Sequence, residues 1–119
     1  MPSLLKRPMD AIIAGTKTVE VRPGDISWIS DKEVTFVCGD TSITCDITFT
    51  RKYNDLKSLL EVEGITNTSS SSRDILEHQK DIAQDELMEL VINNIESIAS
   101  YKERIAKYGV WAIGVMLKK

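Results

Sequence analysis

The chain has few of the residues that most often cross-link or catalyse in a small protein. It contains two cysteines and one histidine among 119 residues, too few for a disulfide scaffold and without the spacing of a zinc site. We therefore expect Cys38 and Cys45 to be reduced thiols. His78 lies on a polar predicted helix, and neither a Ser-His-Asp arrangement nor a phosphate-binding glycine-rich loop is visible. The sequence predicts no metal site and no cofactor.

An excess of positive charge is also missing, because the net charge is −3. Proteins that hold nucleic acid by bulk electrostatics carry the opposite balance, so any nucleic-acid contact must come from a local basic patch or a single-nucleotide pocket. No apolar run approaches the ~20 residues that span a bilayer, and the first residues lack the apolar stretch of a secretory signal. We expect a cytoplasmic protein that does not enter a membrane.

What is present suits one compact domain over residues 1–119. Apolar residues make up 42% and charged residues 28%, which is ordinary for a globular protein. A chain of this length buries a core without cross-links. No linker or internal repeat divides it, and the sequence leaves the oligomeric state open.

Hydrophobic spacing predicts a helix, several strands, further helices and a final strand. The predicted helices are 8–14, 55–63 and a region from 74 to 107 that breaks near 82–85 and near 100. The predicted strands are 17–22, 34–38, 43–52 and 110–117. The polar segment 66–72 is predicted to be a mobile loop. Together these elements predict an α+β fold, a small β-barrel or strongly bent mixed sheet flanked by helices.

The two cysteines fall on the predicted hairpin around residues 39–42. A turn centred between Thr41 and Ser42 would place Cys38 opposite Cys45, close enough to cross-link. In a cytoplasmic protein we expect the two thiols to be reduced and packed side by side.

Four aromatic residues divide into core and pocket candidates. Trp28 and Trp111 each lie in an apolar strand, which favours core packing over base stacking. Tyr101 and Tyr108 flank a charged stretch, and either could line a pocket.

The most informative segment is residues 15–22, Gly-Thr-Lys-Thr-Val-Glu-Val-Arg. Because strand side chains alternate between faces, Thr18, Glu20 and Arg22 are predicted to project from one side, with Glu20 and Arg22 about 6–7 Å apart. Only the turn after Gly15 can bring Lys17 to them. One interpretation is a solvated ion pair that contributes ~0–1 kcal/mol. The other is a polar cleft in which Arg22 binds a phosphate or carboxylate and Lys17 is a cation or a base.

Two further groups are candidates for the same site. Arg51, Lys52 and Tyr53 end the long strand as a basic-aromatic element of the kind that binds single-stranded nucleic acid. Glu63 lies at the C-terminus of a predicted helix, where the helix dipole disfavours a carboxylate. It is either an ordinary surface residue or a carboxylate retained for a function despite this unfavourable position.

The pattern Gly-x-Lys-x-x-Glu-x-Arg in this segment resembles the signature of the ASCH family, the activating-signal-cointegrator homology domains. The resemblance extends to residues 51–64, Arg-Lys-Tyr-Asn-Asp-Leu-Lys-Ser-Leu-Leu-Glu-Val-Glu-Gly, and to residues 108–115, Tyr-Gly-Val-Trp-Ala-Ile-Gly-Val, which look like the last barrel strand. It is weakest over residues 66–100.

The resemblance implies a PUA-like β-barrel with a cleft between barrel and helices, lined by the charged residues of the motif. Members of the family are implicated in RNA binding and RNA metabolism, and some are ribonucleases. One bacterial branch hydrolyses N4-acetylcytidine with a lysine, a threonine and a glutamate. Lys17 matches the lysine, Glu20 stands at the threonine position, and Glu63 is the match to the glutamate.

Three functions follow as hypotheses. In the favoured one the protein binds RNA or a modified nucleotide, with Thr18, Arg22 and residues 51–53 as ligand-binding residues. In the second it is a hydrolase of a nucleoside or RNA, in which Lys17 is the base, Glu63 shuttles the proton and Glu20 positions the water. In the third it is a protein-interaction domain with a vestigial cleft.

Overall fold

The computed structural model describes residues 1–118 and has an α+β architecture, which confirms the predicted fold class. The helices are α1 (Lys6–Ala14), α2 (Leu56–Glu63), α3 (Ile65–Thr68), α4 (Ser70–His78), α5 (Gln84–Glu96) and α6 (Tyr101–Tyr108). The strands are β1 (Val19–Pro23), β2 (Glu33–Cys38), β3 (Thr41–Tyr53) and β4 (Val110–Leu117). In the part of the chain that is described, no helix is long and apolar enough to cross a membrane.

The four strands form one half-barrel sheet in the order β1-β4-β3-β2. All three pairings are antiparallel. The sheet is therefore not mixed, although a strongly bent mixed sheet was one of the two predicted forms. A β-bulge between Ile47 and Phe49 interrupts the register of the long strand β3, and bulges of this kind increase local twist. Beside β2, Ser3 forms an isolated parallel bridge with Val37, which lays the N-terminal segment along the free edge.

Side chains on the two faces of the sheet build two apolar cores. On one face Val19, Val21 and Ala112 pack with α2, α5 and α6. On the opposite face Phe36, Ile113 and their neighbours pack with α1 and with the half-buried Trp28 and Trp111, as predicted for both tryptophans. This alternation follows from the period of two along a strand.

The hairpin between β2 and β3 is tighter than predicted. Cys38 pairs with Thr41 and Val34 pairs with Cys45, so the turn contains only Gly39 and Asp40. The prediction that Cys38 faces Cys45 is wrong because the turn is centred between residues 39 and 40. Gly39 has φ +58°, the sign needed at the first central position of a type II′ hairpin turn. Both thiols are free, and burial raises the pKa of Cys45 to about 11.

Residues 66–72 are not a mobile loop. They contribute to α3 and α4, and Thr68, Ser69 and Ser72 are buried. The hydroxyl of Ser72 donates to Ser69 O at 2.7 Å, and that of Thr68 donates to Gly64 O at 2.9 Å. A serine-rich segment is mobile when its hydroxyls bond only to water. Here the hydroxyls of Thr68 and Ser72 donate to carbonyl groups of the helix backbone instead.

The predicted breaks in the C-terminal helical region are confirmed. The region begins at Ser70, before the predicted residue 74, and separates into α4, α5 and α6 with breaks at residues 79–83 and 97–100. Ser100 has φ +67° and is the only non-glycine residue with positive φ in the described chain. The polypeptide turns there so that α6 returns to the sheet and leads into β4.

Candidate functional site

A cleft of about 870 Å³ opens at the outer edge of β1. Its walls come from the N-terminal segment, the junction of α3 and α4, the end of α5 and the start of α6. Three charged side chains of the sequence motif, Lys17, Glu20 and Arg22, form its floor. The volume lies within the range of small-molecule sites in proteins.

Lys17 reaches the floor because α1 ends tightly before it. Gly15 has φ +79°, and the amides of Thr16 and Lys17 both donate to Ala11 O, at 3.0 and 3.1 Å. This reversal turns the Lys17 side chain inward, where only 5% of the residue is exposed. The structure thereby brings Lys17 to Glu20. In a regular strand these two residues would lie on opposite faces and could not meet.

The ammonium of Lys17 is fully occupied by acceptors. It donates to Val19 O at 2.9 Å and to Thr68 O, and it lies 3.3 Å from Glu20 Oε1. An ammonium has three protons to donate, so each has a partner. The Thr68 contact also fixes the α3–α4 junction to the cleft floor.

Glu20 and Arg22 share a face of β1, as the strand period predicts. Arg22 Nε donates to Glu20 Oε2 at 2.8 Å, and Arg22 Nη2 donates to Ser3 O at 2.8 Å. The guanidinium also lies 5.9 Å from the Trp28 ring centre and 5.7 Å from that of Phe36. Arg22 therefore links the edge strand, the N-terminal segment and the core beneath the cleft.

Burial and charge act in opposite directions on this cluster. Burial lowers the pKa of Lys17, against the raising effect of Glu20. For Glu20, burial favours the neutral acid, but the charges of Lys17 and Arg22 together outweigh it and hold the pKa below its ordinary value. Two cations face one carboxylate, so the floor of the cleft carries a net positive charge.

The walls combine apolar side chains with hydroxyl and amide groups. Leu5 and Ile98 are 71% and 42% exposed at the mouth, and large apolar side chains left this open often mark a binding surface. Ser70, Ser71 and Asn94 also line the cleft, with groups that both donate and accept hydrogen bonds.

Tyr101 lies in the cleft and Tyr108 does not. Burial raises the pKa of the Tyr101 phenol, so its hydroxyl remains a hydrogen-bond donor at neutral pH. Both tyrosines were pocket candidates from the sequence. Tyr101, at the start of α6, is the one that lines the cleft together with Arg22.

Glu63 lies in a second cluster outside the cleft. Arg51 donates to its carboxylate through Nε at 2.7 Å and Nη2 at 3.0 Å, and the Tyr53 hydroxyl donates to it at 2.5 Å. The Arg51 guanidinium stacks 4.0 Å from the centre of the Phe49 ring. Hydrogen bonds from Arg51 hold the pKa of Glu63 below its ordinary value, with burial opposing them.

The expectation that Glu63, Arg51, Lys52 and Tyr53 complete the cleft of Lys17 is therefore wrong. Phe49 and Tyr53 pack against the core that holds Val19 and Val21, whereas Glu20 and Arg22 point to the other face of the sheet. Lys52 faces away from Arg51 and Tyr53, because neighbours on a strand alternate, and its ammonium lies 5.7 Å from the Trp111 ring. The sheet itself separates the two groups.

Thr18 also lies outside the cleft. Its side chain is exposed, while its amide donates to Asn67 O and its carbonyl accepts from Val115 N. Thr18 thus ties α3 and β4 to β1 through its backbone.

Apart from Tyr101, the residues of the cleft walls were missed by sequence reasoning. The serines at 69–71 were hidden by a composition typical of loops, and Leu5, Pro8 and Ile98 carry no chemical signal of their own. The apolar Leu4 before α1, which packs against the second core, was the one available hint that this segment packs on the sheet.

A second depression, of about 520 Å³, lies between residues 29–32 and residues 46–50. None of the charged residues along it is buried, so it lacks the preorganised floor of the cleft. Across residues 1–118, no three His, Cys, Asp or Glu side chains gather in a way that could hold a metal ion.

The fold is similar to that of two solved structures. The crystal structure of the hypothetical protein PH0355 matches with a TM-score of 0.70 and 25% identity, over 98% of this chain and 95% of that one. The solution NMR structure of protein PF0455 from Pyrococcus furiosus matches with a TM-score of 0.62 and 21% identity, over 98% of this chain and 94% of that one. No family model and no curated protein matches the chain, so the resemblance to the ASCH family stays a prediction.

Proposed function

We propose that the protein binds RNA or a modified nucleotide in the cleft above Lys17, Glu20 and Arg22. The observation that carries the proposal is this buried cluster with its excess of one positive charge at the base of a pocket of nucleotide size. A fixed positive charge on the floor suits a phosphate or a carbonyl-rich base edge, because buried charges act strongly where water is excluded. Arg22 Nε and Nη2 already donate to Glu20 and Ser3 O, which leaves Nη1 as the guanidinium nitrogen for a ligand acceptor.

The walls fit the remaining parts of such a ligand. Hydroxyls at Ser70 and Ser71 and the amide of Asn94 offer the mixed donors and acceptors that a base edge requires. Leu5 and Ile98 offer apolar contact to the face of a base. A pocket of this depth with a buried ionic floor also argues against a role limited to protein interaction.

A hydrolase of a nucleoside or RNA is the second candidate, because one observation favours it. Lys17 has a lowered pKa and lies 3.3 Å from a carboxylate at the cleft floor, the arrangement of an acid–base pair. In that role Lys17 is the base and Glu20 positions the water, while Glu63 takes no part because it lies in the other cluster. Binding is favoured over turnover because all three ammonium protons of Lys17 are already engaged.

The mouth of the cleft offers a test that leaves the core untouched. Ile98→Glu adds a carboxylate at an exposed position, and we expect it to weaken binding of nucleoside monophosphates by roughly tenfold, because like charges in contact oppose association. Val62→Glu is the matched control, since Val62 is also exposed and lies on α2 away from the cleft. Isothermal titration calorimetry measures both affinities.

Equal affinities of Ile98→Glu, Val62→Glu and the unmodified protein would contradict the proposal. The same samples, incubated with N4-acetylcytidine and analysed by chromatography, separate the two candidates. We expect the protein to bind N4-acetylcytidine without releasing acetate. Steady release of acetate would show that the protein is a hydrolase instead of a binding protein.

A further inference from the structure

A basic and aromatic surface lies on the sheet beside the cleft. It is formed by Lys52 at the end of β3, Trp111 on β4, and Lys107 and Tyr108 at the end of α6. We call these four residues the lysine-aromatic surface. No step of the proposed cleft function uses them.

The four residues are contiguous. Lys52 pairs with Trp111 across the strands, and its ammonium lies 5.7 Å from the indole ring. A Cβ added to Gly109 would lie 3.3 Å from Lys52 Cε, so the lysine stem runs against this glycine. Tyr108 directly precedes Gly109, and the ammonium of Lys107 lies 5.1 Å from the Tyr108 ring.

The backbone beneath this surface is rigid. Trp111 Nε1 donates to Gly24 O at 3.3 Å, and Gly24 N donates to Gly109 O at 2.8 Å. A Cβ on Gly24 would lie 2.1 Å from Tyr108 O, which shows how closely the turn after β1 packs under α6. The Trp111 ring is thus held in place without any ligand.

Both lysines of this surface are free to bind an anion. Among residues 1–118 no carboxylate lies within 4.0 Å of either ammonium, although most other basic groups have such a partner. Helix α6 carries three basic residues, Lys102, Arg104 and Lys107, and one acidic residue, Glu103, which lies one turn before Lys107. Arg104 and Asp25 form an ion pair and cancel each other, so Lys102, Glu103, Lys107 and Lys52 leave a net charge of +2. This part of an acidic protein is therefore locally positive.

The surface lies close to the floor of the cleft. Arg22 pairs with Trp111, and Trp111 pairs with Lys52, in one row across three strands. Side chains in such a row share a face, and two interstrand spacings amount to about 10 Å. This distance is within the reach of an oligonucleotide of a few nucleotides.

We infer that the lysine-aromatic surface binds the sugar-phosphate backbone of a single-stranded RNA whose nucleotide enters the cleft. The inference rests on the proposed cleft function for the choice of RNA. Lys52 and Lys107 contact phosphates, and Tyr108, 40% exposed, stacks on a base. Stacking platforms flanked by lysines bind single strands with little dependence on sequence.

The test compares Lys52→Ala/Lys107→Ala with Lys57→Ala/Lys80→Ala, a control that removes two exposed lysines elsewhere. Binding of fluorescent oligouridylate is measured by anisotropy over a range of salt concentrations. We expect the first variant to lose roughly tenfold in affinity and its salt slope to fall by about 1.4, since each phosphate contact on a single strand contributes about 0.7. The control should match the unmodified protein.

The outcomes separate this inference from the cleft function. If Lys52→Ala/Lys107→Ala loses affinity for oligouridylate and binds uridine monophosphate as the unmodified protein does, both the lysine-aromatic surface and the cleft function are supported. Unchanged oligouridylate affinity and slope overturn the lysine-aromatic surface and leave the cleft intact. Loss of oligouridylate affinity in a protein that binds no mononucleotide supports the surface and contradicts the cleft. Tighter binding of oligothymidylate than of oligouridylate overturns the assignment to RNA.

Discussion

At the scale of residues, the cleft depends on three charges that are buried together. Lys17 contacts three acceptors, and Glu20 forms ion pairs with both Lys17 and Arg22. Arg22 also donates a hydrogen bond to Ser3 O. Breaking a buried pair leaves an uncompensated charge that costs about 3–5 kcal/mol, whereas an exposed pair contributes about 0–1 kcal/mol. The cluster is thus both the chemical floor of the site and a structural element.

The substitution Glu20→Gln tests this difference. We expect it to lower the free energy of unfolding by about 3–5 kcal/mol, because it leaves Lys17 and Arg22 buried with one carboxylate removed. Glu33→Gln, which removes one partner of the half-exposed pair with Lys118, should cost about 0–1 kcal/mol. Urea denaturation at neutral pH measures both, and similar losses in the two variants would contradict a buried ionic floor.

The same substitution has a pH signature. The pKa of Glu20 is lower in the folded protein than in the unfolded chain, so the folded state binds fewer protons at moderately acidic pH. Its contribution to stability is complete above the unfolded pKa of about 4.3 and is lost as the pH falls from there through the folded value. Glu20→Gln should therefore show a weaker decline of stability with acid than the unmodified protein.

At the scale of elements, the junction of α3 and α4 is the wall that composition concealed. Ser72 is completely buried and bonds to Ser69 O, and Thr68 O accepts from Lys17. The run of threonine, asparagine and serine at residues 66–72 has the local composition of a loop. Local bonds from its hydroxyls satisfy the helix backbone, and Lys17, fifty-one residues before Thr68 in the chain, adds a contact that local sequence patterns do not encode.

Ser72→Val distinguishes an ordered wall from a loop. Added methyl groups at this buried position should lower the free energy of unfolding by about 1–3 kcal/mol, with a further loss from the missing hydroxyl. Ser58→Val, at an exposed position of α2, should change stability by about 0.5 kcal/mol or less. Equal midpoints of thermal unfolding for the two variants would show that residues 66–72 are as mobile as their composition suggests.

At the scale of the whole molecule, the sheet decides which residues share a site. Local rules predicted the end of α1 before Gly15, a helix over 55–63 close to the observed α2, and the last strand, Val110–Leu117. Arg51, Lys52 and Tyr53 were treated as one element, yet consecutive strand residues face opposite ways. The period of two would have separated Lys52 from its neighbours.

The assignment of Glu63 to the cleft could not be corrected from sequence in the same way. Its position depends on α2 crossing the face of the sheet opposite Glu20, and that choice is made by the apolar surfaces of α2 and β1 together. The pairing with Arg51 then follows from the register of β3 with β4. Register and crossing are global properties, fixed only when the whole core is assembled.

Mapping of a bound nucleotide by NMR tests the central claim most directly. Titration of the labelled protein with uridine and cytidine monophosphates should shift the amide signals of residues 3–8, 17–22, 68–71 and 94–101, which surround the cleft. Signals of Arg51, Tyr53 and Glu63 should stay in place, because these residues lie on the other face of the sheet. Shifts centred on that second cluster, or no shifts around Lys17, Glu20 and Arg22 at saturating nucleotide, would contradict the account.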